Sequence, residues 1–353
     1  NGASAARDAL GGVYVFGGDG ASSTGSIGAL NDFWRWNGSE WAWLSGTNGA
    51  TLVGVYGTKG LASPTSHPGA RRGAVTWLTA NGETWLFGGH GYSAAGLGYL
   101  NDLWRWDGSS WTWMSGTNLE DQPAISGTKG IPAAENVPGA RAWGVSWADS
   151  AGNLWLFGGR TPDVYDDGLL NDLWRWDGTN WTWVSGSLSP WKQGIYGTKG
   201  VPAPSNVPGS RSELTAWADA TGNFWLFGGY GMAGGWFGDL NDLWRWDGTN
   251  WTWMHGSNDT DDSGSGGVLG EPSATNTPAA RTGAIGSAAP DGTAWVHGGA
   301  SGDYWLMDDL WRWDGTYWTR MSGTGTYFAN GVYGEKGVAA PGNRPGARAW
   351  GAS

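Results

Sequence analysis

A block of about 70 residues recurs five times along this chain, and that repetition limits the fold more than any other property. Phe-Gly-Gly stands at Phe16, Phe87, Phe157 and Phe227, and becomes His-Gly-Gly at His297. Leu-Asn-Asp opens a second element at Leu30, Leu100, Leu170 and Leu240, which continues Trp-Arg-Trp and returns as Met307-Asp308-Asp309-Leu310-Trp311-Arg312-Trp313. Trp-Thr-Trp follows at Trp111, Trp181 and Trp251, with variants at Trp41 and Trp318, and Gly-Ala-Arg leads into the next block at Gly69, Gly139 and Gly346. Fixed-period self-similarity of this kind signals solenoids, arrays or propellers, in which each unit buries its faces against its neighbours.

Each block divides into four strands. Arg141 to Trp147 forms the first, and a tight turn through Asp149 and Gly152 leads to Leu154-Trp155-Leu156-Phe157. The glycine pair ends that strand. Leu170 to Asp177 makes the third strand, Asp177-Gly178-Thr179-Asn180 has hairpin chemistry, and Trp181 to Ser185 is the fourth. Gly and Pro punctuate too often for helical periodicity. Of 353 residues, 66 are Gly and 31 are Trp, so the core is expected to be aromatic rings between thin sheets.

Arg, a small-residue strand, an aliphatic strand ending in Gly-Gly, an aromatic-Asp strand and a closing Trp strand together resemble the kelch repeat, here in a Trp-rich, long-repeat form of bacterial type. The resemblance implies an all-β, five-bladed kelch-like β-propeller with four antiparallel strands per blade, forming one domain over 1–353. The units fall at 1–68, 69–138, 139–208, 209–278 and 279–345. Residues 346–353 read as a first strand with nothing after it, and are expected to complete the N-terminal blade and close the ring. Two departures stand out: a unit longer than the usual kelch blade of about 50 residues, and Trp where kelch carries Tyr.

Strand alternation places Trp104 and Trp106 on one sheet face and Arg105 on the other, so the Trp residues are assigned to the core between blades. Arg105 and its equivalents Arg35, Arg175, Arg245 and Arg312 are expected to pair with nearby carboxylates such as Asp102 and Asp107. Arg71, Arg141, Arg211, Arg281 and Arg348, which open the first strands, are likewise read as structural ion pairs. The repeated Tyr196-Gly197-Thr198-Lys199-Gly200 loop, with Lys59, Lys129 and Lys336 as counterparts, reads as a brace.

In such blades the turns from strand one to two and from three to four share one face, and are short. The connections from two to three and on to the next blade are long and share the other face, where binding residues concentrate. That face offers His90, Tyr92 and Tyr99 in the second unit and Asp163, Tyr165, Asp166 and Asp167 in the third. Trp191 follows; Tyr230, Trp236, Phe237 and Asp239 come from the fourth unit, and Asp303, Tyr304 and Trp305 from the fifth. Aromatic rings beside carboxylates and amides suit sugars, which present an apolar face and a hydroxyl rim.

A net charge of −11 and the lack of a basic cluster exclude nucleic acid as a partner. No apolar run is long enough to insert in a membrane. With no Cys there are no disulfides and no thiolate chemistry, and the copper-radical oxidase activity of some kelch relatives is excluded because it needs a Cys-linked Tyr. No cofactor is implied except calcium: Asp259, Asp261 and Ser263 open a run resembling a calcium loop, although the closing acid, Glu271, comes one residue late. The leading expectation is a non-catalytic binding module, secreted or on the cell surface, taking a glycan or protein on the long-loop face. A structural component of a larger extracellular layer, filament or adhesin is the alternative. A glycan-active hydrolase using Asp166 and Asp167 comes third.

Overall fold

The structure is a computed structural model in which residues 2–8, 10–163, 167–289, 291–302 and 304–351 are described. Every regular element among them is a β-strand, and no helix is long and apolar enough to cross a membrane. The strands form five antiparallel blades arranged as a β-propeller. The chain divides into two compact units, Asn1–Pro190 with the first three blades and Trp191–Ser353 with the last two.

Blade one runs Ser4–Arg7, Val13–Ala21, Ile27–Trp36 and Trp41–Ser45, each strand pairing with the next in sequence. Blade three repeats this with Val145–Ala148, Leu154–Thr161, Gly168–Trp176 and Trp181–Ser185. In blade two the inner strand is broken in two: Arg71–Arg72 and Val75–Leu78 both pair with Thr84–Tyr92. Blade four does the same with Arg211–Ser212 and Thr215–Ala218 on Phe224–Ala233. Blade five is Ile285–Ala288, Ala294–His297, Leu310–Trp313 and Trp318–Ser322.

Ser4–Arg7 supplies an inner strand of blade one, in register with Val13–Phe16 as Val75–Leu78 is with Thr84–Phe87 in blade two. The Arg348 amide donates to the Met307 carbonyl and the Trp350 amide to the Gly283 carbonyl, as the Arg141 and Trp143 amides donate to the Leu100 and Gly73 carbonyls. Small residues suit the inner strands because adjacent ones touch: Ser4 Oγ donates to Ala74 O at 2.6 Å and Ser146 Oγ to Thr76 O at 3.0 Å.

Alternation sends the Trp rings where expected. Trp104, Trp111, Trp174 and Trp181 are at most 1% exposed. Trp111 packs on Phe33 of the preceding blade with centroids 5.2 Å apart, and Trp181 on Phe87 at 5.5 Å. Burying one such ring contributes up to about 4–6 kcal/mol.

The arginines divide into two sets, and the pairing of one set needs correction. Arg71 makes a two-pronged contact with Asp102, at 2.6 and 2.8 Å, with neither side chain more than 1% exposed. The same contact recurs as Arg141–Asp172, Arg211–Asp242 and Arg281–Asp309. Asp102 is thereby committed, and Asp107 caps its hairpin through the Ser109 and Ser110 amides. Arg105 therefore lies 3.7 Å from Glu83, with its guanidinium 5.9 Å from the Trp85 ring centre. Arg175 and Arg245 lie comparably over Trp155 and Trp225.

The glycine pair has its own geometric reason. Gly88 has φ +65°, and a Cβ there would sit 2.6 Å from the Arg141 carbonyl. Gly108 has φ +100° in a hairpin open to solvent. Replacing Gly108 by Ala is expected to lower stability by about 1 kcal/mol from the backbone alone, and Gly88→Ala by about 3 kcal/mol or more because clash is added. Urea unfolding compares the two, and equal losses would contradict this packing.

Candidate binding face

The long connections of the second and third blades gather a mixed-charge cluster. Tyr99 is only 5% exposed, because its backbone amide and carbonyl are held by Asp121 and its ring packs edge-on to His90 with centroids 5.0 Å apart. Trp143 lies edge-on to Tyr99 at 6.4 Å, with the Arg160 guanidinium 5.9 Å from the Trp143 ring centre. The Tyr99 hydroxyl meets Asp167; burial, followed by that carboxylate, raises its pKa well above the usual phenol range. Burial, followed by the nearby Arg72, holds His90 below the usual imidazole value. Arg72 pairs with Asp19 at 2.8 Å in a half-open position. Of the residues expected here, His90, Tyr99 and Asp167 come together, whereas Tyr92 and Asp163 are half-buried nearby in sequence. Tyr165 and Asp166 lie outside the described residues.

The fourth and fifth blades carry a different surface. The hairpin of Phe224–Ala233 and Trp236–Trp246 ends in Trp236, 71% exposed, and Phe237, 60% exposed. Tyr230 stands 6.2 Å from Phe237 and Trp191 6.5 Å from it, ring centre to ring centre. Gln193 joins this group through Oε1, which accepts the Gly235 amide at 3.1 Å. In blade five, Tyr304 packs 5.6 Å from Trp350, while Trp305 is edge-on to Tyr327 at 4.9 Å. Trp305 and Tyr304 thus keep exposed edges while their loops are pinned by ring contacts. Asp303 lies outside the described residues.

Beside these rings is an acidic cluster that was only partly legible. Asp239 is buried, and its Oδ2 accepts the Gly302 amide at 2.6 Å. Burial raises its pKa to about 7; the Gly302 bond opposes the shift, and the carboxylates of Asp261 and Glu213 add to it. Glu213 Oε2 accepts the Trp350 indole N–H at 2.8 Å. Asp261, named above as a calcium ligand, accepts the Asp239 amide at 2.9 Å, and Asp259 accepts the Thr260 amide. Ser263 is exposed. Among the described residues, no three or more His, Cys, Asp or Glu side chains are grouped to hold a metal ion.

Sequence reasoning missed Trp143, Glu213 and Trp350. They occupy one repeat position, two residues after the first-strand Arg, where Gly73 and Gly283 stand in the other blades. All five have positive φ, from 54° to 63°. A non-glycine residue in this left-handed conformation costs about 1–2 kcal/mol, and such strain clusters where a side chain has a task. The one signal available was that this position varies inside an otherwise repeated motif.

The fold comparison supports the propeller fold and goes no further. No family model matches the chain, and no curated protein matches it in sequence. Among solved structures, one titled "Structure of YjhT" superposes over 94% of this chain and 86% of its own, with a TM-score of 0.54 and 13% identity. At that identity the likeness shows the propeller fold alone.

The Asp239 geometry has a signed consequence. A carboxyl whose folded pKa is raised stabilises the fold relative to its ionised form at low pH. That advantage is lost as pH rises from the unfolded value of 3.8 to about 7. Relative to Asp239→Asn, the wild type is expected to lose about 2–4 kcal/mol of stability across that window. Urea unfolding of both proteins along the pH axis reads the difference, and parallel curves would contradict a buried, proton-holding Asp239.

Proposed function

We propose that this protein is a non-catalytic binding module of kelch type, secreted or displayed on a bacterial surface, which takes a glycan on its long-loop face. The observation that carries the reading is the open Phe237 ring with Tyr230 and Trp191 packed around it, and beside it on the same hairpin Trp236, 71% exposed. A pyranose stacks its C–H face on such rings, and its hydroxyls find carboxylate and amide partners at the rim. An exposed Trp is costly to keep in water, and a preformed ring cluster loses little entropy on binding. The kelch assignment is supported by the Gly-Gly turn and by the Arg that reaches its carbonyl, Arg71 Nη1 to Gly88 O at 2.9 Å. It is supported as well by the recurrence of that pattern in Arg141, Arg211 and Arg281.

A glycan-array screen of purified protein, repeated with Trp236→Ala and with chelator present, tests this. Saturable binding to a defined sugar is expected, weakened at least about tenfold by the substitution. Loss of binding on chelation would add calcium to the site. A folded protein that binds no glycan, or a variant that binds as well as the parent, would overturn the glycan reading.

A further inference from the structure

The hairpin between the third and fourth strands has the same turn in all five blades, with one change of chemistry. Four blades have Asp-Gly there, at Asp107, Asp177, Asp247 and Asp314, whereas blade one has Asn37-Gly38. Each acid accepts the two backbone amides that follow its glycine. Asp107 takes those of Ser109 and Ser110, both at 2.9 Å, and Asp314 those of Thr316 at 2.9 Å and Tyr317 at 2.7 Å. Asn37 Oδ1 accepts the matching amides of Ser39 and Glu40, both at 2.9 Å, and the Ser39 hydroxyl as well. The turn is thus a cradle for a carboxylate, and blade one fills it with a neutral amide.

That filling is reactive. Three donors on Oδ1 draw electron density from the Asn37 side-chain carbon. Gly38 has φ +103°, with nothing within 4 Å of where a Cβ would sit, so its nitrogen is approachable. The other described Asn-Gly pairs lack this combination. The Gly82 amide is given to the Thr79 carbonyl at 2.9 Å. A Cβ on Gly49 would lie 3.0 Å from the Leu52 side chain, and one on Gly331 3.0 Å from the Gly346 nitrogen. Asp107 is inert in the same turn: the Ser110 and Ser109 amides hold it ionised, below the usual carboxylate range, and a carboxylate repels a nucleophile.

We propose that Asn37 is a self-modification site, which converts to aspartate by intramolecular deamidation. The Gly38 nitrogen forms a bond to the Asn37 side-chain carbon, the bond from that carbon to Nδ2 breaks, and Nδ2 leaves as ammonia with the proton shed by Gly38. Water then opens the cyclic imide. Addition at the side-chain carbonyl restores the main chain with aspartate, which fits the cradle as Asp107 does and strengthens its bonds by adding charge. Addition at the main-chain carbonyl gives isoaspartate, whose extra backbone carbon disrupts the pairing of the Asn37 amide with the Glu40 carbonyl at 3.1 Å. The cradle therefore selects aspartate. Water reaches the site whatever lies beside blade one: Asp107, Gly108 and Ser109 are equally open in blade two, which has a blade packed on either face within the first unit. This does not depend on the glycan reading.

Peptide mapping by mass spectrometry of the folded full chain, sampled over time in mildly alkaline buffer beside the urea-unfolded chain, tests it. In the folded chain Asn37 is expected to convert at least about fivefold faster than Asn81, whose glycine must first give up a hydrogen bond. In urea, Asn48, Asn81 and Asn330 should react as fast as Asn37, with isoaspartate prevailing, whereas the folded chain yields mainly aspartate. Asn37→Asp, the product itself, should unfold at no lower urea concentration than the parent. An Asn37 that keeps its amide in the folded chain, or reacts no faster there than Asn81, would overturn the proposal. Isoaspartate as the main folded-state product, or a lower urea midpoint for Asn37→Asp, would overturn the role of the cradle.

Discussion

Blades two to five are each organised around a buried guanidinium–carboxylate contact, and most of their other features follow from having to satisfy that pair. Two charges removed from water are stable only if good geometry and extra hydrogen bonds compensate for lost hydration. Asp102 answers with four donors: both prongs of Arg71, the Trp104 indole and the Tyr56 hydroxyl, all within 2.6–2.8 Å. Arg71 spends its remaining donors on the Gly69 and Gly88 carbonyls. Burial works against the Arg71 charge, and Asp102 more than offsets it, so the arginine holds its proton more tightly than usual. Repeated Arg, Gly-Gly, Asn-Asp and Trp motifs are thus parts of one node rather than separate signatures.

The node fixes the aliphatic strand and the Trp strand of these blades, takes in the incoming loop where Tyr56 and Tyr196 reach its carboxylate, and leaves the long connections outside its reach. Variation therefore collects in those connections. Blades two and three place Arg72, Arg160, His90 and Asp167 there, whereas blades four and five place Glu213, Asp239 and Asp261 with exposed Trp and Tyr rings. A uniform scaffold with divergent loops is how one architecture can present an asymmetric ligand surface.

The repeat, the four strands per blade and the burial of Trp104 or Trp181 were legible because they rest on local periodicity and turn chemistry. The partner of Arg105 was not. Asp102 and Asp107 are its neighbours in sequence, but Asp102 belongs to Arg71, 31 residues away, and only the closed sheet brings those two together. The role of Ser4–Arg7 was missed because it lacks the Arg that opens the other inner strands. The residues at the left-handed position were missed for a different reason. Nothing in the letters Trp143, Glu213 and Trp350 reveals a positive φ, which the surrounding backbone imposes. For the aromatic loops, composition foretold rings but not which would lie open: Tyr99 is buried, whereas Trp236 and Tyr304 are not.

A double-mutant cycle on Arg141 and Asp172 addresses the node most directly, since that pair is buried at 2.6 Å in the middle of the first unit. Urea unfolding of Arg141→Met, Asp172→Asn and the double variant measures the coupling. Each single change is expected to lower stability by about 3–5 kcal/mol, because it strands a buried charge. The double variant should recover at least about 2 kcal/mol of the summed loss. Additive losses would contradict the claim that the pair is the organising contact of the blade.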